Sequence, residues 1–360
     1  VPDPSADEVV LHLGAGKTGT SSLQYLMAAH RDVLAKHGTL YPQTPGKARH
    51  TRLGLYAKSD EDLVRTAAWR RMGSPEPQRF RRRFRRRLLE EVSHAGARRV
   101  LFSDEALLGI DEDAIGRLRD LVRAVGDDVR VVVYLRRQDE RLVSRYQQEV
   151  KTGRTTTLAE WAPGYGTRIH DYHRLLTTWR TALEPTAMVV RRFEPSSFLG
   201  GNLYDDFLDA VGAGLSSERL TVPELRNESL DAEGVELLRL LNLYRVEHEG
   251  AEPRYIDNSA VVDLLRQRPP GPMLTLPDDV LDREMERWEA SNRATATEFI
   301  GDAEGVLFRE PRRASQATTT EQRLDPDRLD HLADIAGLAD IRDPLREIAE
   351  REAAKGHPVA

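Results

Sequence analysis

Short, mainly apolar runs at residues 9–13, 99–102, 129–135 and 187–191 are each bounded by polar or turn-forming residues. Runs of that length read as strands buried on both faces. Between and after them the apolar positions recur at helical spacing over 21–36, 111–125, 140–150, 175–182 and 203–211, with a turn at Tyr41-Pro42 and a polar helical stretch before 99. Alternating strands and helices predict an α/β fold, a central mostly parallel sheet flanked by helices. After Arg226 the pattern turns helical, clearest at 231–244 and 282–299. The prolines of Arg268-Pro269-Pro270-Gly271-Pro272 cannot sit inside a helix, so 251–277 reads as a long loop able to cap a substrate side. From Arg309 a polar linker leads to a weakly amphipathic helix near 329–350. The expected organisation is one α/β domain over 1–308, with a core at 8–225 and a helical substrate-side part at 226–308. A helical C-terminal extension at 309–360 follows. No internal repeat is visible.

The run from Arg79 to Leu88 places Phe80, Phe84 and Leu88 four residues apart among seven arginines. One buried stripe with wet arginines on the rest of the helix accounts for it better than a patch for an anionic substrate or nucleic acid, because no aromatic stacking platform accompanies the charge. With 31% charged residues and a formal net charge of -6 the chain is not globally basic. No apolar run approaches the roughly 18 residues of a membrane span. Cysteine is absent, which excludes disulfides and thiolate metal sites, and residues 1–8 carry no charged and apolar leader pattern, so a cytoplasmic location is expected. Basic residues are nearly all arginine, which makes a lysine within a glycine-rich turn notable.

That lysine is Lys17, in Val9-Val10-Leu11-His12-Leu13-Gly14-Ala15-Gly16-Lys17-Thr18-Gly19-Thr20-Ser21-Ser22. A strand running through glycines into a hydroxyl-rich helix start is a phosphate cradle: backbone N–H groups close on the anion, the helix end adds partial positive charge, and lysine adds a full one. A triphosphate P-loop needs glycine six residues before its lysine. Leu11 stands there instead. A second strand ends in Arg136 and leads into a helix that carries Ser144. Guanidinium matches phosphate bidentately, and open α/β sheets bind ligands at the carboxyl ends of their strands. A third strand ends in Ser103-Asp104-Glu105 at the same expected edge, which makes Glu105 the first candidate for a general base and Asp104 the second.

The loop resembles the 5'-phosphosulfate loop of sulfotransferases that use 3'-phosphoadenosine 5'-phosphosulfate (PAPS), bacterial members included. The resemblance is close over this loop and the Arg136 segment, loose between them, and only general in the last third, as at residues 288–293. It implies a P-loop-like sulfotransferase fold and in-line transfer of a sulfuryl group from PAPS, with PAP as product and no metal required. The acceptor would be a hydroxyl of a small molecule, saccharide or natural product. Gly16, Lys17, Thr18, Gly19, Thr20, Ser21 and Ser22 would hold the 5'-phosphate, with Lys17 following charge onto the leaving oxygen. Arg136 and Ser144, eight residues apart, would hold the 3'-phosphate. Family members use glutamate or histidine as base, and His50, in an H-x-x-L element, competes with Glu105. Asn227 and Ser229 resemble a nucleotide-side loop, and Lys151-Thr152-Gly153-Arg154 follows in family fashion. His12 reads as an interior histidine, and the pair His170 and His173 lacks a third ligand cluster. Two other readings stay open: a P-loop kinase or NTPase using ATP and Mg²⁺, with Asp104 and Glu105 as its carboxylates, and a non-catalytic nucleotide-binding module. Nucleic acid is not an expected partner, and the oligomeric state is left open.

Overall fold

A computed structural model describes residues 6–16, 18–165, 169–221, 229–253, 256–313 and 317–355, with only the backbone of Ala67. The chain divides into two compact units, 1–136 with 168–225 and 288–311, and 137–167 with 226–287 and 312–360.

The first unit is built on a five-stranded sheet of β1 (Ala6–Leu13), β2 (Thr39–Leu40), β3 (Arg99–Asp104), β4 (Gly126–Leu135) and β5 (Ala187–Arg192). Every pairing is parallel and the order is β2-β3-β1-β4-β5. The four apolar runs become β1, β3, β4 and β5, and only the two-residue β2 has no such signal. Residues of β1 from Val9 to Leu13 are fully buried, because helices cover both sheet faces. The period of two sorts them. Val9, Leu11, Leu13, Phe102, Val131 and Val133 pack with Phe84, Leu118 and Trp179 on one face. Val10, Leu101, Val132 and Tyr134 meet Leu23, Leu26 and Phe207 on the other. At the amino edge Glu8 accepts from Arg99 Nε at 2.5 Å and Arg130 Nε at 2.7 Å, stapling three neighbouring strands.

The Arg79 run lies in helix Pro77–Ala95, entered through Glu76, whose carboxylate accepts from the Gln78 and Arg79 amides, and a proline at the first turn. Phe80, Phe84, Leu88 and Val92 are its buried stripe, as the fourfold spacing predicts. The 21–36 helix is two helices, Thr20–Ala29 and Arg31–Lys36, joined at His30.

The second unit is helical. Leu142, Tyr146 and Val150 of helix Gln138–Lys151 pack with Leu238 and Leu241 of Ala232–His248 and with Leu332 and Leu345 of the last two helices. Several predicted bounds are corrected here. The expected loop at 251–277 contains helix Ser259–Leu265, with Val261, Val262 and Leu265 buried, and β6 (Met273–Leu274), which pairs in parallel with β7 (Thr318–Thr319). The prolines do stay outside helix. The tail helix is Pro326–Ile335 and Arg342–Ala354, parted where Gly337 takes φ 69°. The 282–299 helix also parts, at Trp288, into Asp278–Arg287 and Glu289–Thr295, the second and a following π turn lying in the first unit. No helix among the described residues is long and apolar enough to cross a membrane.

Arg239 organises the second unit's interior. Its fully buried guanidinium donates to Glu236 at 2.8 and 2.9 Å, to Glu352 at 2.8 Å and to the Thr155 carbonyl at 2.9 Å. Removing one partner of such a cluster strands buried charge, at a cost of about 3–5 kcal/mol. We therefore expect Arg239→Ala to lower stability by about that much in urea unfolding; a loss below about 1 kcal/mol would mean that the two carboxylates find other partners or water.

Candidate functional site

In a parallel sheet the carboxyl ends of all strands share one edge. Here that edge carries three of the predicted elements within the first unit: the turn after β1, Asp104 and Glu105 at the end of β3, and Arg136 after β4. The chain runs from β1 outward to β2 and β3, then crosses to β4 and β5 on the other side. The edge beside β1 is therefore the topological switch point where such sheets take ligands.

The turn after β1 is fitted to its glycines. The Gly14 amide donates to the Asp104 carbonyl at 3.2 Å. A Cβ on Gly14 would stand 2.8 Å from Glu105 Cγ and 2.9 Å from both Glu105 Cα and Thr20 Cγ2, so only glycine lets β3 approach so closely. Gly19 adopts φ 70° as the N-cap of helix Thr20–Ala29, and a Cβ there would lie 2.4 Å from Leu203 Cδ2. No side chain caps this helix, which leaves its first-turn amides to a ligand. The Thr18 and Thr20 hydroxyls are buried 3.2 Å apart. Gly16, at φ 71°, faces open space. Lys17 lies outside the described residues, so its role stays an expectation from sequence, while Ser21 and Ser22 follow Thr20 in the first turn of the helix and are both half-buried.

Behind this surface lies a polar hub that sequence reasoning missed. Ser103 donates its amide to His50 Nδ1 at 3.1 Å, and its carbonyl accepts from the His50 amide at 3.0 Å and from Gln24 Nε2 at 3.3 Å. Its hydroxyl meets His12 Nδ1 at 2.8 Å and Gln24 Nε2 at 3.1 Å. A serine within an apolar strand was the one signal of this hub. His50 is fully buried, 4.3 Å from the Tyr41 ring centroid and edge-on to Phe102. Since Nδ1 accepts a backbone proton, the imidazole serves to anchor the 41–51 segment to β3. Asp104 is also fully buried: its Oδ1 accepts from Arg49 Nε at 2.7 Å and from the Ala106 amide at 3.2 Å, while its Oδ2 has no hydrogen-bond partner among the described residues. Glu105, by contrast, is half-buried and has no hydrogen bond among the described residues.

Arg136 is half-buried. Its carbonyl accepts from the Tyr172 hydroxyl at 2.6 Å, and its guanidinium lies 6.0 Å from the Phe193 ring centroid. Leu13 pairs with Val133, so Arg136 sits three residues beyond, about 10 Å further along the neighbouring strand. Ser144 is half-buried on helix Gln138–Lys151 of the second unit. There too Arg154 pairs with Glu149 and its carbonyl accepts from Asn242, a structural role for the segment after Lys151. Asn227 lies outside the described residues, whereas Ser229 is half-buried. His12 is an interior residue between Tyr134 and Phe207. His173 pairs with Glu298 at 2.6 Å, Asp171 caps helix Tyr172–Leu183, and no group of three potential metal ligands occurs among the described residues.

No protein-family profile matches the chain. An uncharacterised protein of Archaeoglobus fulgidus is 29% identical over 133 residues, 37% of this chain and 33% of that protein, so the chain spans about a third of the curated relative it matches. Among solved structures, a sulfotransferase from Alicyclobacillus acidocaldarius is similar at 16% identity and a TM-score of 0.41, covering 69% of this chain and 97% of its own. A likeness of this degree carries no residue role across.

Burial drives the imidazoles of His12 and His50 from the ordinary 6.5 down to about 3, so both are neutral in the folded protein. The stability this confers is complete above about pH 6.5 and is lost as pH falls from there toward 3, at about 1.4 kcal/mol per pH unit for each group. We expect the melting temperature to fall between pH 7 and pH 5 and the fall to flatten in His12→Asn and His50→Asn. An equal slope in wild type and both variants would place the acid sensitivity elsewhere.

Proposed function

We propose that the protein is a sulfotransferase that moves a sulfuryl group from PAPS to a hydroxyl of a small molecule or saccharide. The loop 16–22, with Lys17, holds the 5'-phosphate, and Arg136 holds the 3'-phosphate. Glu105 takes the proton of the acceptor hydroxyl as its oxygen bonds to sulfur, while the sulfur–oxygen bond to the 5'-phosphate breaks and its electron pair leaves with PAP. The carrying observation is the contact of Glu105 with Gly14. It sets a carboxylate free of other hydrogen bonds among the described residues against the turn that opens the phosphate cradle. Of its two competitors, Asp104 has one oxygen, Oδ1, paired with Arg49, and His50 has Nδ1 taken by the Ser103 amide, which leaves the neutral imidazole no free acceptor nitrogen. The turn that follows β1 and Arg136 after β4 lie beyond adjacent strands at one sheet edge, an arrangement suited to the two ends of one doubly phosphorylated adenosine.

Calorimetry with PAP and with ATP and Mg²⁺ tests the donor. We expect magnesium-independent PAP binding, weakened at least about tenfold by Arg136→Ala through loss of a charge-assisted bidentate contact, with little change for adenosine 5'-phosphosulfate, which lacks the 3'-phosphate. Tight ATP–Mg²⁺ binding with none of PAP would turn the assignment to a P-loop kinase or NTPase. Glu105→Gln should lower transfer from labelled PAPS to an acceptor panel by about a hundredfold or more, as loss of a general base does, and leave the PAP Kd within about twofold. Full activity in that variant would remove Glu105 from the reaction, and PAP binding with no transfer by wild type would leave a nucleotide-binding module.

A further inference from the structure

The outer face of helix Pro77–Ala95 is charged in a way the rest of the surface is not. Arg79, Arg82, Arg83, Arg86 and Arg87 are all exposed. At 100° per residue the first four share a sector of about 100°, opposite the buried Phe80, Phe84 and Leu88, and Arg87 borders it. Several helical arginines elsewhere in this chain are answered one turn away by a carboxylate: Arg65 by Glu61, Arg145 by Glu149, Arg283 by Asp279 and Arg293 by Glu289, all at 2.6–2.8 Å. On this face Arg86 alone has such a neighbour, Glu90 at 3.7 Å, and the other four have no ion pair among the described residues. Positions 79 and 83, 82 and 86, and 83 and 87 are instead like-charge pairs at helical spacing, an arrangement that weakens a helix in isolation. The stripe exists in a chain whose net charge is -6, so the concentration of positive charge is local.

We propose that this face binds a linear acidic polysaccharide. The arginines from 79 to 86 extend over about 10 Å and recur with each turn of about 5.4 Å, which presents guanidinium forks in a row to successive carboxylates or sulfates of an extended chain. Single-stranded nucleic acid would require aromatic platforms, and the helix keeps both of its phenylalanines buried. An anionic membrane surface would be met by an apolar anchor, and none of the exposed large apolar residues lies on this helix. The overall negative charge repels a polyanion at a distance, so attraction operates at contact and is screened by salt. This surface is independent of the sulfotransferase reading and holds whether or not the chain transfers sulfate.

The full chain titrated with heparin at 0.05–0.3 M NaCl is the test, with an Arg79→Gln, Arg82→Gln, Arg83→Gln, Arg86→Gln variant beside it. Glutamine keeps helix propensity and removes the charge. We expect heparin binding that weakens steeply with salt and falls at least about tenfold in the variant, four contacts each contributing modestly, with the melting temperature unchanged. Arg283→Gln with Arg293→Gln, removing paired arginines, should leave binding unaltered, and the fourfold lysine variant should retain most of it. Absence of heparin binding, binding unaffected by the glutamine variant, or duplex DNA or phosphatidylserine vesicles bound more tightly through the same arginines would each overturn the proposal.

Discussion

The hydrogen bond from the Gly14 amide to the Asp104 carbonyl fixes where the first strand of the sheet ends relative to the third, and the candidate site follows from it. It continues the parallel pairing one residue past Leu13, into the turn, so the start of the cradle inherits the rigidity of the sheet. Gly14 makes this possible by carrying no Cβ, and Glu105 occupies the space that a side chain would have filled. A carboxylate is thereby held against the turn by backbone geometry, with no hydrogen bond to its oxygens among the described residues.

The same edge is stiffened from behind by polar groups that satisfy one another. A serine in an apolar strand would leave its hydroxyl unpaired in the interior; His12 and Gln24 accommodate it, while His50 takes its amide and returns one to its carbonyl. Burial keeps both imidazoles neutral, the protonation state that the acceptor Nδ1 of His50 requires. These histidines brace the carboxyl end of β3, beside which Glu105 lies without a hydrogen bond among the described residues.

In the second unit stability rests on a different device. A helical assembly with the buried charge of Arg239 in its middle is held by a bidentate pair with Glu236 and by Glu352 from the last helix, more than a hundred residues away. That the 312–360 segment supplies a partner to so costly a group makes it an integral part of this unit's core.

Much of this was legible in the chain because it depends on local pattern. The mainly apolar runs of β1, β3, β4 and β5 read as strands, their alternation with helices implied a parallel sheet, and Phe80, Phe84 and Leu88 announced a buried stripe. Glycine spacing around Lys17 raised the expectation of an anion cradle. Two-residue β2, the helix hidden in 251–277 and the breaks at His30, Trp288 and Gly337 escaped, since short elements are stabilised by neighbours distant in sequence and leave little periodic trace. Sequence likewise offered Glu105, Asp104 and His50 as near equals for a base. Only tertiary structure decided their settings, Asp104 Oδ1 held by Arg49 and His50 Nδ1 by the Ser103 amide, because those partners stand some fifty residues away along the chain.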